Sequence, residues 1–368
     1  MAAPLKDSFG PQVAVEVAAL LRAVDPAFAV DEFVVAATAG FDDLELADRS
    51  RAVAAALATY LPRDPAAAIT LITRSLPTTA QSLRWQGMDS FMLWPFTMFI
   101  ADHGLDTFEE SMAAQHAITQ LFTAEFSIRP FLQHRPEQTL RRLALWTTDP
   151  SEHVRRLVSE GTRPRLPWAP RLPAFIVDPS PVLPLLESLK DDPSDYVRRS
   201  VANNLNDIAK DHPQVTLDVA RDWLSEDPSR RPLVRHGLRT LIKAGDPQAL
   251  DILGFDPDSA AQVVAVTVEP RRVHIGDPVS VTITVANPSD RPVEALVDFE
   301  VSFARPGGSA RKVFKGVERS VAPGATVEVR RTVTLRQLST RRVHPGPHAV
   351  VAQLNGRRSP AAAFEVLA

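Results

Sequence analysis

Two periodicities divide the chain. Over the first 255 residues apolar positions fall three and four apart, as with Val154, Leu157 and Val158, which share one face of a helix. This spacing predicts helices over Val13–Val24, Arg49–Thr59, Pro65–Arg74 and Leu183–Lys190, with Pro, Asp and Gly at the joints. From about Gln262 the period becomes two. Val263–Val268, Val279–Val285, Val293–Phe303, Thr326–Leu335 and Val350–Leu354 are rich in β-branched residues. They are separated by Asn287-Pro288-Ser289-Asp290, Pro306-Gly307-Gly308 and Pro323-Gly324.

About seven short strands in about 100 residues read as an immunoglobulin-like sandwich. The helical half carries an internal repeat. Asp149-Pro150-Ser151-Glu152-His153-Val154-Arg155-Arg156 returns 43 residues later as Asp192-Pro193-Ser194-Asp195-Tyr196-Val197-Arg198-Arg199. A degenerate copy begins at Asp227-Pro228-Ser229, and its Val234-Arg235 follows Val197-Arg198 by 37. Such spacings suit HEAT-like helical pairs stacked into a solenoid with a concave face. The expected fold is therefore multidomain: an all-α HEAT-like repeat solenoid over residues 1–255, then an all-β immunoglobulin-like sandwich over 260–368, with a linker near Gly254–Ala260. Repeated Val-Arg predicts a row of guanidinium groups along one surface. Ordinary salt bridging between repeats accounts for the same pattern.

Charge changes this picture by its placement. The net charge is −3, yet residues 260–368 hold 15 Lys and Arg against 9 Asp and Glu, and residues 1–259 hold 26 against 35. Most of that acidic excess lies in the first 110 residues, so a polyanion would meet the middle and the C-terminal part of the chain. The absence of cysteine excludes disulfides, thiol nucleophiles and thiolate metal sites. No apolar run approaches the roughly 20 residues of a membrane span, and the start lacks a signal-peptide layout. A cytoplasmic protein with no membrane partner is expected. The nine histidines show no metal-like spacing, and there is no Gly-rich phosphate cradle or nucleophile elbow. No metal or cofactor is expected.

The stretch from Asp149 to Trp168 concentrates the chemistry. Asp149-Pro150-Ser151 reads as a helix start, N-cap then proline, and Gly161 as its C-terminal stop. Glu160 then lies in the last turn, where the helix dipole disfavours a negative charge by a few tenths of a kcal/mol. Arg155, Arg156, Arg163 and Arg165 surround it in sequence, and Trp168 follows Leu166-Pro167 on an extended approach.

This stretch, the run Thr123-Ala124-Glu125-Phe126-Ser127-Ile128-Arg129-Pro130-Phe131 and the segment Val197–Lys210 together resemble the AlkC-type DNA alkylation repair glycosylases of the AlkC/AlkD HEAT-like superfamily. The resemblance covers roughly residues 80–250, and the sandwich extends it, since some members carry an immunoglobulin-like C-terminal domain. It implies excision of cationic N-alkylated bases, notably 3-methyladenine and 3-methylcytosine, from double-stranded DNA without extrusion of the base into a deep pocket. An N3-alkylated base is already a cationic leaving group, so the transition state places positive charge on the deoxyribose. Negative charge, π density and a positioned water are what such a reaction needs.

Glu160 is the first candidate for the carboxylate, and Glu125 and Asp207 follow. Pairing of Glu160 with Arg156 or Arg163, and of Glu125 with Arg129, is the structural alternative. Trp168 is the candidate to pack on the sugar, or else a core indole between repeats; Trp146, Trp85 and Trp94 are expected in the core. Arg155, Arg156, Arg163, Arg165, Arg198, Arg199 and Arg235 are candidate phosphate contacts. Arg163 and Arg165 lead, as loop residues with few structural duties. In the tail, Arg341-Arg342 and Arg357-Arg358 are candidates for gripping the far side of a duplex, or else a solvated rim. No lysine falls among the proposed site residues, which argues for a monofunctional glycosylase without Schiff-base chemistry. A monomer with no obligate protein partner is expected. The sandwich is expected to help enclose the duplex, so that truncation after about Gly254 keeps the fold and loses activity. The alternative is a non-catalytic HEAT-repeat scaffold that binds DNA or protein.

Overall fold

The computed structural model describes residues 8–77, 87–338 and 341–368. They form sixteen α-helices and then nine β-strands, in two compact units, residues 1–211 and 212–368. The first unit holds α1 (Gln12–Val24), α2 (Val30–Ala37), α3 (Leu46–Tyr60), α4 (Pro65–Ser75), α5 (Trp94–His103), α6 (Phe108–Thr119), α7 (Ile128–His134), α8 (Pro136–Trp146), α9 (Glu152–Gly161), α10 (Pro173–Val177), α11 (Leu183–Leu189) and α12 (Asp195–Ile208). The second holds α13 (Pro213–Glu226), α14 (Arg231–Gly237), α15 (Arg239–Ala244), α16 (Pro247–Ile252) and all the strands. Helical texture thus continues to residue 252, but the compact units divide at 211.

The Asp-Pro-Ser motifs are turns, and the helices begin after them. Asp149 Oδ1 accepts the backbone N–H of Ser151 at 2.8 Å, Asp192 Oδ1 that of Ser194 at 2.9 Å, and Asp227 Oδ1 that of Ser229 at 2.8 Å. Each aspartate closes an Asx turn, which sets the entry angle of the next helix. Helix α9 consequently starts at Glu152 with Ser151 as its cap residue, two residues later than the reading of Asp149 as N-cap. Gly161 also has a different duty from the one expected. It is the last helical residue and has no left-handed φ. A Cβ there would lie 2.6 Å from Cγ2 of Ile128, so glycine permits close approach of α9 and α7. Val154, Leu157 and Val158 are fully buried, and each such side chain is worth about 1.5–3 kcal/mol. Helix α9 packs chiefly on α12, its counterpart in the next repeat, and also on α6, α8 and α11.

The strands are β1 (Gln262–Glu269), β2 (Arg272–His274), β3 (Pro278–Ala286), β4 (Val293–Arg305), β5 (Gly308–Val321), β6 (Thr326–Thr334), β7 (Gly346–Leu354), β8 (Arg357–Arg358) and β9 (Ala362–Leu367). One sheet has the order β1-β3-β6 and the other β2-β9-β7-β4-β5, with β8 on β7. Val281, Ile283 and Val285 from one sheet and Val297, Phe299, Val301 and Val350 from the other make the core between them. Strand β5 escaped the sequence reading because Arg311, Lys312, Lys315, Glu318 and Arg319 interrupt its pattern. It lies at the end of its sheet, where charged residues discourage pairing with another chain. The β4–β5 ladder is broken between Val297 and Phe299, where Lys315 and Gly316 stand opposite Asp298 in a bulge.

Candidate active site

Three segments of the first unit converge: the turn before α7, the last turn of α9 with the loop after it, and the last turn of α12. They bring the three candidate carboxylates into one string of alternating charge. Arg156 Nη1 meets Glu125 Oε2 at 2.6 Å, and its Nη2 lies 3.6 Å from Glu160 Oε1. Arg163 Nη1 donates to Glu160 Oε1 at 2.6 Å, and Arg163 Nε donates to Asp207 Oδ2 at 2.8 Å. Lys210 Nζ completes the string on Asp207 Oδ1 at 2.8 Å. The second oxygen of Glu160 accepts from Ser200 Oγ at 2.7 Å, and Ser159 Oγ donates to Ser200 Oγ at the same distance. Both bonds in the Glu125 headgroup end on Oε2, from Arg156 and, at 2.9 Å, from Thr123 Oγ1. Glu125 Oε1 therefore has no hydrogen-bond partner among the described residues.

The string is largely dry: Glu160 and Asp207 are buried, and so is Arg163. Burial works to lower the Arg156 guanidinium, and the charges of Glu125 and Glu160 outweigh it, so its pKa ends above the ordinary value. For Arg163 burial is likewise outweighed, here by Glu160 and Asp207. Tyr196 covers the outer side of Arg156, with the guanidinium carbon 5.2 Å from its ring centre. Glu160 thus does pair with Arg156 and Arg163. Glu125 pairs with Arg156 rather than with Arg129.

Arg129 has another task, which the sequence reading missed. It is 1% exposed and fastens the loop after α9 by its main chain. Nη1 donates to the carbonyls of Gly161 (3.0 Å) and Arg163 (2.8 Å), and Nε and Nη2 both donate to that of Pro170 (2.9 and 2.6 Å). Burial, and then the charge of Arg163, lower its pKa to about 10. Between the clamped ends Trp168 adopts φ 64°, a left-handed conformation that strains a bulky residue by about 1–3 kcal/mol. Its side chain is not a core indole: the residue is 88% exposed. It borders a cavity of about 250 Å³ shared with Trp94, Phe126, Arg129 and Pro170, whose lining includes none of the three carboxylates. The signal for Arg129 was present as the one charged residue in the run Phe126–Phe131. Trp146 is in the core, Trp94 is half-buried against Phe126, and Trp85 lies outside the described residues.

The arginine row is mostly engaged within the protein. Arg155 grips Asp192 through two bonds of 2.6 and 3.0 Å, joining one repeat to the next. Arg198 bonds to Asp195 and to the carbonyl of Asp192. Arg163 and Arg165 do not have the few structural duties expected of loop residues. The first bridges Glu160 and Asp207, and the second holds Asp211 with bonds of 2.8 and 2.6 Å. Arg199 is exposed. In the second unit Arg235 pairs with Glu318, and Arg341 is buried over the Phe303 ring, 4.8 Å from its centre, donating to the carbonyl of Thr334. Arg342 is exposed beside Gln337 and His344. Arg357 bonds to the carbonyls of Ser259 and Ala261, and Arg358 to Glu300.

A buried string of carboxylate–arginine pairs on HEAT-like helices, an exposed indole on the loop after one of them, and an immunoglobulin-like sandwich after the helices define a HEAT-like repeat protein with an added immunoglobulin-like module. Comparison with known proteins agrees with this class. The HEAT repeat family matches residues 182–212, and the C-terminal Ig-like domain family of the uncharacterised protein YhaZ matches residues 262–368. The uncharacterised YhaZ of Bacillus subtilis is 36% identical over 325 residues, covering 88% of each chain. The structure of the alkylpurine DNA glycosylase AlkC of Pseudomonas fluorescens, bound to DNA containing an abasic-site analogue, superposes with a TM-score of 0.91. It is 36% identical to this chain, with all of both chains covered. The chain belongs to the AlkC-type family of DNA alkylation repair glycosylases.

Proposed function

We propose that this chain is a DNA glycosylase that hydrolyses the N-glycosidic bond of cationic N-alkylated bases, 3-methyladenine and 3-methylcytosine among them, in double-stranded DNA. The observation that carries the reading is the string Glu125–Arg156–Glu160–Arg163–Asp207, with an outward indole on the loop that follows Glu160, in a chain that matches a DNA-bound alkylpurine glycosylase over its full length. In the reaction the C1′–N bond breaks with its electron pair going to the base, which leaves neutral. Water adds to C1′, and its proton passes to a carboxylate. Glu160 and Asp207 supply negative charge opposite the developing sugar cation, an arrangement worth most where water is excluded. Glu125, with Oε1 unengaged, is the better placed to orient the water, although Glu160 led the sequence reading. The Trp168 ring packs on the deoxyribose while the base stays stacked.

Lys210 does stand at the site, contrary to the expectation that no lysine would. Its Nζ is engaged by Asp207 Oδ1, so the monofunctional reading is kept. The reaction needs no metal or cofactor, and the protein acts as a monomer. The exposed Arg199 and Arg342 are the candidates readiest for phosphate.

Release of free methylated base from a methylated duplex is the test. Glu160→Gln keeps an acceptor for Ser200 and should cut release about 100-fold or more while DNA affinity holds. A wild-type protein that releases no base overturns the proposal. The competing reading, a DNA-binding scaffold, is favoured by one observation: every carboxylate of the string is already met by a cation. It predicts salt-dependent binding with no release.

A further inference from the structure

We infer that Ser200 is a positioning residue for Glu160: its hydroxyl fixes the second carboxylate oxygen without cancelling the charge that a sugar cation needs. The inference deepens the proposed function and takes from it only the identity of that cation. Ser200 lies on α12, the counterpart of α9 in the next repeat.

The repeat itself marks this residue. The offset of 43 carries Val154 to Val197, Leu157 to Ser200 and Val158 to Val201, and all of these side chains are buried. The two valine positions are kept, while the core leucine between them is exchanged for a serine. A buried hydroxyl offers little apolar area and costs free energy unless it is bonded. Ser200 is bonded, to Glu160 Oε2 at 2.7 Å. The polar seam continues around it. Ser159, Thr162 and Asn204 are buried as well, and Asn204 Nδ2 donates to the Ser159 carbonyl at 2.8 Å and to Thr162 Oγ1 at 3.0 Å.

Hydrogen counting gives the seam a direction. A serine hydroxyl has one hydrogen, and an ionised carboxylate only accepts. The Ser200 hydrogen is therefore spent on Glu160 Oε2, and Ser200 Oγ accepts in turn from Ser159 Oγ at 2.7 Å. Arg163 Nη1 holds Oε1 at 2.6 Å. The loop after α9 thus grips one oxygen and α12 the other, so the headgroup cannot turn about its last torsion without losing a bond. Among the described residues no other donor meets Oε2. The two anchors differ in charge. Arg163 offsets part of the negative charge, and a further guanidinium at Oε2 would offset more. A neutral hydroxyl sets the geometry and leaves the remaining charge to face a cation.

The test is single-turnover base release by the full-length protein at saturating methylated duplex. Ser200→Ala should release base about tenfold more slowly, since a displaced group of this kind costs up to about 100-fold. Its affinity for the duplex should match that of wild type. Ser200→Thr keeps the donor and should release base faster than Ser200→Val, which has nearly the same shape without a hydroxyl. In the Glu160→Gln background Ser200→Ala should slow release by less than about twofold further, because the hydroxyl acts through the carboxylate. A binding measurement stands apart from catalysis. Wild type should prefer a duplex bearing a pyrrolidine abasic sugar, cationic at its ring nitrogen, over one bearing neutral tetrahydrofuran, and Ser200→Ala should lose most of that preference. Equal release by the Thr and Val variants overturns the inference, as does a full further loss in Glu160→Gln or a preference kept by Ser200→Ala. If the preference behaves as expected while even wild-type protein releases no base, the positioning role stands and the glycosylase reading falls.

Discussion

Trp168 combines two properties that rarely meet in one residue, an exposed indole and a left-handed backbone. Neither stabilises the fold, since an exposed ring buries little area and the φ costs energy. Strain of this kind is kept where the surrounding structure over-determines it, which here is the Arg129 clamp. Trp168→Ala should therefore change the unfolding free energy by no more than about 0.5 kcal/mol. The same variant should lower single-turnover base release by at least about tenfold. Thermal melting and a base-release assay on one preparation check both, and a large loss of stability would return Trp168 to the core role. The residue scale also shows where sequence reasoning fails. Arg163 and Arg165 follow a helix stop among prolines and so read as free loop residues. Their partners Asp207 and Asp211 lie 44 and 46 positions away, and nothing local announces them.

At the scale of elements, the loop from Thr162 to Leu172 is a rigid strap. Leu172 N–H bonds to the carbonyl of Pro164 at 3.1 Å, Arg165 holds Asp211, and Arg129 fastens both ends. Arg129 is thus a positioning residue: it touches carbonyls, and the strap carries Trp168 and Arg163. Lysine cannot span three carbonyls, because its donors leave from a single point. Arg129→Lys should cost about 1.5–3 kcal/mol per lost charged bond. It should also speed amide exchange over residues 163–172 and shift Trp168 emission before the rest of the unit loosens. Exchange that rises uniformly instead would make Arg129 a general core residue. The elements themselves were largely visible in the pattern: α1, α3, α4 and α11 match the expected helices within a few residues, and five strands match likewise. Strand β5 was not visible, because an edge position admits charges that break the alternation on which a sequence reading depends.

Across the whole molecule, the third repeat is completed differently from the first. Arg155 finds the aspartate of the following repeat, whereas Arg235 finds Glu318 on β5. A sandwich carboxylate stands where a further repeat would supply one, which explains why α13–α16 belong to the same compact unit as the strands. Asn355 and Arg357 reinforce this, bonding to the carbonyls of Asp256, Ser259 and Ala261. The expected truncation point near Gly254 therefore cuts through a unit. A chain ending at Gly254 should expose apolar helix faces and aggregate. One ending at Asp211 should melt cooperatively and retain the Arg163–Asp207 pair, as size-exclusion chromatography and calorimetry would show. If the 1–254 chain proves the better behaved, the division at 211 is wrong. Among the described residues no helix is long and apolar enough to cross a membrane. The chain's own residues determined the two textures, the repeat, the family and the candidate carboxylates, because periodicity and short motifs are local properties. Tertiary structure alone decided which cation meets which anion, that Arg129 serves carbonyls rather than Glu125, and that Trp168 faces water. Those outcomes turn on contacts between positions tens of residues apart, whose energies no local pattern encodes.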